Sequence, residues 1–330
     1  MHDSIVISSR AMLVRNYADL PFDVGGKPEM ASAVISRTSA ALRSQGFSLH
    51  LLSGMTEENR RVLLERERVS PGMLRHPDQA ALLLPEEGPV CVMLGGGCHV
   101  RILSERPGSA LGETLADCLA VEDVLSRRVS FAFDKQLGYL AADEMQLGTG
   151  LRVFIRLHLP MLTRSNRMGV LIKIAESKGC LLLGPTVQQK TPPGDMWILC
   201  NRRAIGLTER EICGQVEGVM QEIARMEEEL RQQAVQQQEA LLLDRIWRAW
   251  GILQNARLLA LEEFQHFWSD VRLGAELALL PVTSGKLDEI WREAMNAHLC
   301  SYAEESLTGV ALDECRASRV RGMLEEIPLE

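Results

Sequence analysis

Apolar residues in the first two thirds of the chain fall in short runs separated by turn residues. Nine of these runs predict strands, namely SIVISS, FSLHLL, AALLLP, VCVML, HVRIL, VSFAF, LRVFIRLHL, CLLLG and MWILC. Two longer segments between them, PEMASAVISRTSAALRSQG and GETLADCLAVEDVLSRR, are typical of helices. Because several neighbouring runs are joined through glycine or proline turns, the pattern predicts a largely antiparallel sheet with helices packed on it.

The pattern changes after Thr208, where helical periodicity replaces the strands. Thr208 and Glu211 have the spacing of a capping box, which marks the start of a helix. Between residues 216 and 234 apolar side chains recur at intervals of three and four. Almost all of the remaining sequence is helical in pattern. The fold class predicted is therefore α+β, with a mixed domain at residues 1–235 and an all-helical C-terminal domain at residues 236–330.

Composition narrows the classes of protein that fit this pattern. With 330 residues, 46% of them hydrophobic and 24% charged, the chain can bury a core and is too apolar to be disordered. It contains no apolar run of the roughly 18 to 20 residues that a membrane span needs, and its first residues do not form a secretion signal. The net charge of -8 argues against a general nucleic-acid binder. The eight cysteines form no C-x-x-C pair, so no metal site is predicted and a reducing, cytoplasmic location is expected.

Arginine supplies most of the positive charge, since only six of the 36 basic residues are lysines. A guanidinium binds phosphate or carboxylate through two N–H groups, so an arginine-rich chain can contain a phosphate site, although a GC-rich genome produces the same bias. Three segments combine arginine with small residues: SSRAMLVRN, GGGCHVRI and LGTGLRVFIRLHLP. Glycine allows backbone N–H groups to approach an anion closely. The spacing matches neither a Walker loop nor a dinucleotide-binding fingerprint.

These segments resemble the phosphagen (guanidino) kinases, and among them the bacterial protein-arginine kinases of the McsB type. The motifs that carry the resemblance occur in family order: SSRAMLVRN followed by PF, then VSPGML, HVRI, LGYL with LGTGLR and LHLP, and CNRRAIGLTE. The resemblance implies a guanidino-kinase catalytic domain, Mg-ATP as cofactor and transfer of the γ-phosphoryl group to a guanidinium nitrogen. The long helical tail favours the McsB type over the small-molecule kinases.

The resemblance also shows where this chain departs from the family's catalytic residues. Gly97 stands where the family has one catalytic glutamate, and Gln188 takes the place of the other carboxylate. Asp143 occupies the position of the reactive cysteine. No catalytic residue is therefore intact. Adjacent Asp143 and Glu144 could supply a relocated base, or they could form an exposed acidic loop tip, and both interpretations remain open.

The predicted phosphate clamp is reduced as well. Met12 and Leu183 replace two of the five arginines that hold the triphosphate in the family. These apolar replacements favour a weakened and partly collapsed Mg-ATP site. The residues that the resemblance assigns to nucleotide binding are Ser8, Ser9, Arg10, Arg101, Arg152 and Arg156.

A second site is predicted near the C-terminus. The resemblance aligns residues 312–317 with an R-D-x-x-R-A motif that forms a phosphoarginine pocket in the McsB type. Asp313 and Arg316 persist and suit the guanidinium and phosphoryl groups respectively, whereas Leu312 removes one cation. The alternative is an ordinary helix in which Asp313 and Arg316 pair at a spacing of three residues.

Three functional hypotheses follow from these observations. The first is a catalytically degenerate protein-arginine kinase that acts as a regulatory or scaffold pseudokinase in a Clp-type stress and proteolysis system. The second is an active kinase that uses Asp143 or Glu144 as its base, and the third is a purely structural oligomer. The C-terminal helical domain is expected to mediate self-association into a homo-oligomer. The resemblance implies a zinc-finger activator protein and a Clp-type unfoldase as partners, and an active paralogue is a further candidate. No nucleic-acid or membrane partner is expected.

Overall fold

The computed structural model describes residues 4–22, 27–184, 192–237 and 239–326. Ten strands occur in this part of the chain. They are β1 (Val6–Arg15), β2 (Phe47–Leu51), β3 (Ala81–Pro85), β4 (Val90–Gly95), β5 (Cys98–Pro107), β6 (Phe133–Asp134), β7 (Gly138–Tyr139), β8 (Leu151–His158), β9 (Cys180–Leu183) and β10 (Met196–Asn201).

Helices connect the strands and form the whole C-terminal part. They are α1 (Pro28–Leu42), α2 (Glu57–Glu65), α3 (Pro71–Arg75), α4 (Leu111–Ser126), α5 (Pro160–Arg164), α6 (Met168–Ser177), α7 (Glu209–Gln237), α8 (Glu239–Asn255), α9 (Leu261–Glu276), α10 (Ser284–Glu293), α11 (Asn296–Ala303) and α12 (Gly309–Glu325). We call β1 to α7 the sheet domain and α8 to α12 the helical domain. The predicted boundary between residues 235 and 236 lies in the last turn of α7.

Eight strands form one sheet in the order β2-β3-β4-β5-β1-β8-β10-β9, and every pairing in it is antiparallel. The predicted α+β class and the antiparallel sheet are confirmed. The expectation of a strand over the run VSFAF is wrong in part. Phe131 forms only an isolated bridge with Tyr17, and Phe133 belongs to the separate two-stranded hairpin of β6 and β7.

The two faces of the main sheet differ because side chains alternate along each strand. Leu13, Ile102 and Leu151 lie opposite one another in neighbouring strands and are fully buried. They pack with residues of α1, α4, α6 and α7 into the largest apolar core. The other face carries most of the arginines singled out above, and we call it the arginine face.

Helix α7 begins as the capping box predicts. The backbone N–H of Thr208 donates to Glu211 Oε2 at 2.7 Å, and the N–H of Glu211 donates to Thr208 Oγ1 at 3.3 Å. The helix then runs for 29 residues and buries Val216, Val219 and Ile223 against the sheet. A sequence-level signal thus fixes the start of the element that leads into the helical domain.

The two domains meet through buried charged side chains. Arg231 of α7 donates to Glu227 Oε1 at 2.9 Å and to Glu276 Oε2 of α9 at 2.5 Å. Arg272 of α9 contacts the other oxygen of Glu276 and reaches back to the carbonyl of Ser4 at 3.1 Å. We call these side chains the junction network. In the described part of the chain, no helix is long and apolar enough to cross a membrane.

Candidate functional site

Strand register brings the predicted nucleotide-binding arginines together on the arginine face. Arg10 lies opposite Glu105 and Phe154, Met12 lies opposite Arg152, and Val14 lies opposite Arg101. Directly opposed residues in antiparallel strands share a face, so Arg10, Arg101 and Arg152 project from the same side of β1, β5 and β8. Alternation along the strands is the local reason for this convergence.

The two predicted serines lie on opposite faces of β1. Ser8 is on the arginine face, and its hydroxyl donates to Glu105 Oε1 at 3.0 Å. Ser9 is fully buried on the helix-covered face, where its hydroxyl donates to the carbonyl of Gly108 at 2.8 Å and accepts from the N–H of Ala110 at 3.1 Å. The Ser9 side chain therefore holds the turn before α4 and does not face the arginines.

Two carboxylates hold Arg10 and Arg156. Arg10 contacts Glu67 and also donates to Glu105 Oε2 at 2.9 Å, while Arg156 donates to the second oxygen of Glu67 at 2.9 Å. Burial lowers the pKa of Arg10, but the nearby carboxylates of Glu67 and Glu105 raise it by more, so the net effect is a raised Arg10 pKa. A phosphate that binds Arg10 must therefore displace or share these carboxylates.

The segment that carries a catalytic glutamate in the family resemblance is a tight glycine hairpin here. Gly95, Gly96 and Gly97 have φ values of +95°, +75° and +105°. Strand β4 ends at Gly95 and β5 begins at Cys98, so two glycines make the connection, and positive φ at both is the requirement of a tight two-residue hairpin turn. We call residues 95–97 the glycine turn. It presents no carboxylate to the arginine face.

Arg101 closes the glycine turn from inside. Its Nη1 donates to the carbonyl of Gly95 at 2.8 Å, and its Nη2 donates to the carbonyl of Gly96 at 2.7 Å. A Cβ atom built on Gly97 would lie 3.8 Å from Arg101 Nη2. The guanidinium that the resemblance assigns to the triphosphate is thus bound to backbone carbonyls next to the missing carboxylate.

The segment VSPGML packs against the other side of the glycine turn. A Cβ atom on Gly96 would approach Met73 Cγ to 2.7 Å and Ser70 Oγ to 3.0 Å. A Cβ atom on Gly95 would lie 2.7 Å from the carbonyl oxygen of Gln79. A side chain at position 95 is therefore excluded by the backbone of Gln79, and one at position 96 by the side chains of Met73 and Ser70. Position 97 has room but an unfavourable φ.

Arg152 differs from the other two arginines because part of its guanidinium is unused. Its Nη2 points at the Cys200 sulfur at 3.6 Å, and its buried Nη1 has no hydrogen-bond partner within the described residues. Met12, which replaces an arginine beside it, packs on an apolar cluster that includes Leu103 and Met93. Leu183, which replaces the other arginine, is 46% exposed, so its side chain is not packed into the nucleotide site. Partial collapse of the nucleotide site therefore stays a prediction.

The predicted substitute acids lie on the surface near the glycine turn. Asp143 and Glu144 are exposed, and Asp143 accepts a hydrogen bond from the N–H of Met145 at 3.0 Å. Burial raises the pKa of the Cys98 thiol, with Arg101 opposing the rise and Asp143 adding to it. Asp143 is therefore within electrostatic range of the turn. Gln188 lies outside the described residues.

In the predicted phosphoarginine motif, Arg316 is 1% exposed. It donates to Asp313 Oδ1 at 2.8 Å, to Asn296 Oδ1 at 2.5 Å, and to the carbonyls of Leu259 at 2.7 Å and Ala294 at 3.0 Å. The contact between Asp313 and Arg316 is the ion pair that the alternative interpretation predicted. Phosphoarginine binding at these residues remains a prediction, and it requires Arg316 to exchange internal partners for the ligand.

Sequence reasoning missed the two carboxylates that hold Arg10. Glu105 carried a usable signal, because Arg101, Leu103 and Glu105 alternate along one strand and must share a face. Glu67 carried none, since it lies in the turn after α2 with a left-handed φ of +53° and reaches the sheet only through tertiary packing.

The arginine face fits a triphosphate in part. Arg10, Arg101 and Arg152 would hold its oxygens, and the unpaired Nη1 of Arg152 is a donor that such a group would satisfy. A cleft of about 580 Å³ opens beside Arg10 and Arg156 and is bounded on the far side by α10 and α11. Among the described residues, no group of three or more His, Cys, Asp or Glu side chains could hold a metal ion.

Two family models match the chain in tandem. One, described as the C-terminal catalytic domain of ATP:guanido phosphotransferases, matches residues 29–230. The other, described as the protein-arginine kinase McsB C-terminal domain, matches residues 239–330. The protein-arginine kinases of Syntrophomonas wolfei and Symbiobacterium thermophilum are 31% and 30% identical to this chain. Those alignments cover 97% and 98% of this chain and 92% and 94% of the two kinases.

Solved structures show the same fold at lower identity. The duplicated taurocyamine kinase of Schistosoma mansoni, with bound transition state analog components, matches with a TM-score of 0.61 and 21% identity. The match covers 73% of this chain and 36% of that one. Lombricine kinase matches with a TM-score of 0.59 and 20% identity, covering 69% of this chain and 67% of that one. At these sequence identities, the similarity supports a shared fold and nothing further.

Proposed function

Because this chain belongs to the ATP:guanido phosphotransferase family, in its protein-arginine kinase branch, we propose that it is a member that has lost phosphotransfer. The resemblance inferred from the motifs and the guanidino-kinase fold are both confirmed. In this proposal the chain acts as a regulatory or scaffold pseudokinase in a Clp-type stress and proteolysis system.

The observation that carries the proposal is the closure of the glycine turn on Arg101. The turn has no carboxylate to hold a guanidinium or take its proton, and its carbonyls occupy Arg101. Loss of a positioned general base lowers a rate by about 10²- to 10⁴-fold. Loss of one charge-stabilising donor costs a further factor of about 10² to 10³. Together these losses lower turnover by about 10⁴- to 10⁷-fold where the two factors multiply.

ATP binding is weakened in this proposal but retained. Arg152 keeps a buried donor for a phosphate oxygen, whereas Arg10 and Arg101 must first release Glu67, Glu105 and the glycine turn. The family is described as ATP:guanido phosphotransferases, so ATP is the expected nucleotide. Mg²⁺ would enter the site bound to that ATP. We therefore expect binding at high ATP concentration without transfer.

A thermal-shift titration of the full chain with Mg-ATP tests the binding, with free phosphoarginine in parallel. A ligand at 100 times its dissociation constant stabilises the folded state by about 2.7 kcal/mol. A rise in Tm at millimolar Mg-ATP supports a retained weak site. No rise with Mg-ATP would exclude the active kinase, and no rise with either ligand would leave a scaffold. A rise with phosphoarginine alone would indicate a reader of that modification.

The second candidate is an active kinase with a relocated base. It is favoured by one observation, the position of Asp143 within electrostatic range of Cys98 and the glycine turn. This candidate predicts acid-labile labelling from [γ-³²P]ATP that disappears in Asp143→Asn or Glu144→Gln. Because both side chains are exposed, neither substitution should affect folding. Asp123→Asn, at an exposed position of α4, is a matched control.

The proposed partners follow from the family. In this proposal Leu241 and Trp247 of α8, which are 72% and 50% exposed although large and apolar, contact a second copy of the chain. A zinc-finger activator protein, a Clp-type unfoldase or an active paralogue would be the heterologous partners. Sedimentation of the full chain and of Trp247→Glu tests the first part, since a lower mass for the variant is expected.

A further inference from the structure

A second cavity lies between the sheet domain and the helical domain, away from the arginine face. Its volume is about 670 Å³, within the range of small-molecule sites. Its walls come from α5 and the 192–195 turn on one side and from α8 and α9 on the other. None of the predicted nucleotide-binding or phosphoarginine-binding residues lines it.

A buried carboxylate fixes two arginines in this cavity. Asp270 of α9 is 2% exposed and accepts from Arg164 Nη2 at 2.5 Å and from Arg245 Nε at 2.8 Å. Arg164 Nη2 also reaches Asp195 at 3.3 Å. Within residues 4–326, apart from the undescribed gaps, the other N–H groups of both arginines have no hydrogen-bond partner. Both guanidinium groups are thus preorganised, with donors left over.

The third donor is the side-chain amide of Gln265. Gln265 of α9 lines the cavity and is only 9% exposed, yet its side-chain amide makes no hydrogen bond in the described part of the chain. Because this amide gives up no hydrogen bond within the described protein, it is available to donate an N–H group to a ligand in the cavity. The three donor side chains come from three different helices, α5, α8 and α9.

We propose that this cavity binds the phosphoryl group of a small phosphorylated molecule through Arg164, Arg245 and Gln265. A carboxylate offers two oxygens in one plane, whereas a phosphoryl group offers three oxygens in three directions, which suits donors on three walls. Glu262, exposed at the rim, opposes the anion. Because walls of both domains contact the ligand, its binding links the sheet domain to the helical domain.

Inorganic phosphate is the probe, and the readout is the indole N–H signal of Trp268 in NMR spectra of the full chain. The Trp268 ring backs the cavity at Gly194, where a Cβ atom would lie 3.2 Å from it, and its indole N–H donates to the carbonyl of Leu287 at 2.7 Å. The two arginines would donate charge-assisted hydrogen bonds to phosphate, but the carboxylates of the cavity offset their positive charge. We therefore expect the Trp268 signal to saturate at phosphate concentrations on the order of millimolar.

Two substitutions on adjacent turns of α8 distinguish phosphate binding in this cavity from phosphate binding elsewhere on the protein. Arg245→Gln should weaken the Trp268 response by at least about tenfold, since it removes a charge-assisted donor. Arg248→Gln is the matched control, because Arg248 is 74% exposed, pairs with Asp244 and does not line the cavity. Gln265→Leu should also weaken binding, and Glu262→Gln should strengthen it.

Three outcomes would overturn the proposal. One is no Trp268 response in the wild type up to about 50 mM phosphate. A second is an unchanged response in both Arg245→Gln and Gln265→Leu, two variants that do not share a folding defect. The third is an equal response to acetate. The test is independent of phosphotransfer, so the proposed function can fail while this site stands.

Discussion

The junction network and the arginine face both concentrate arginines, but they satisfy them differently. At the junction, Arg231 contacts Glu227 and Glu276, and all three side chains are at most 5% exposed. On the arginine face, Arg101 donates to the carbonyls of the glycine turn, and among the described residues one buried N–H of Arg152 has no partner. The first region matches charges and joins two domains. In the second region, Arg10 and Arg156 pair with Glu67 and Glu105, whereas the glycine turn offers Arg101 backbone carbonyls in place of a carboxylate.

The largest effect should come from breaking the junction network. Arg231→Met leaves Glu227 buried without its cation and leaves Glu276 with Arg272 alone as its cation, so the free energy of unfolding should fall by about 3 to 5 kcal/mol. Arg225→Met on the same helix is the control, because its pair with Glu229 is exposed and worth at most about 0.5 kcal/mol. Urea unfolding measures both. Equal losses for the two variants would contradict the structural role of the junction.

A smaller loss should follow substitution in the glycine turn. Gly97→Ala forces a φ of +105° on a side-chain-bearing residue and should cost about 1 to 3 kcal/mol in unfolding free energy. Gly218→Ala in α7 is the matched control, and it should stabilise by up to about 1 kcal/mol because its Cβ atom would meet open space. Gly97→Glu should lose stability like Gly97→Ala and gain no phosphotransfer. A stable, active Gly97→Glu variant would refute this account of the turn.

The junction also predicts a pH dependence. Burial lowers the pKa of His158 well below 6.5, with Arg272, Arg231 and Arg164 adding to the effect, so the folded state keeps this ring neutral. The unfolded chain takes up a proton below about pH 6.5, so this residue makes stability fall by up to about 1.4 kcal/mol per pH unit below that value.

His158→Asn should remove that component of the pH dependence. Between pH 7 and pH 5.5 the unfolding free energy of the variant should change less than that of the wild type, although its value at pH 7 is lower because the contact of His158 with Ser269 at 2.9 Å is altered. Parallel pH curves for the two proteins would show that His158 does not carry the effect.

The smallest effect on stability should come from the arginine face. Arg152→Met removes a guanidinium whose Nη1 is buried and unpaired, so unfolding free energy should change by less than about 1 kcal/mol. The same substitution should abolish the thermal shift produced by millimolar Mg-ATP. Arg106→Met is a control, since Arg106 pairs with Asp117 beyond the site. Retention of the shift in Arg152→Met would exclude Arg152 from nucleotide binding.

Much of the fold could be predicted from the sequence because local signals and periodicity agreed. The capping box at Thr208 and the antiparallel pairing of apolar runs both appear as expected. The run VSFAF failed as a strand because apolar content alone does not supply a partner strand. Phe131 and Phe133 instead pack on Tyr139 beside a short hairpin.

The candidate site could be predicted only where strand alternation determines it. Arg10, Arg101 and Arg152 share a face for that reason, and the same rule places Ser9 on the opposite face, although the motif suggested a ligand role. The closure of the glycine turn on Arg101 was not predictable, since three glycines in a row specify flexibility and not which side chain fills the space. The internal contacts of Arg316 likewise depend on Leu259 and Ala294, which are distant in sequence.

Phosphotransfer itself is the most direct test of the central claim. The full chain would be incubated with [γ-³²P]ATP, Mg²⁺ and an arginine-rich acceptor protein, and acid-labile label would be counted against a blank without the chain. The account predicts label equal to the blank, even at ATP concentrations that raise the Tm. Label above the blank that disappears in Asp143→Asn and persists in Asp123→Asn would contradict it and establish a kinase with a relocated base.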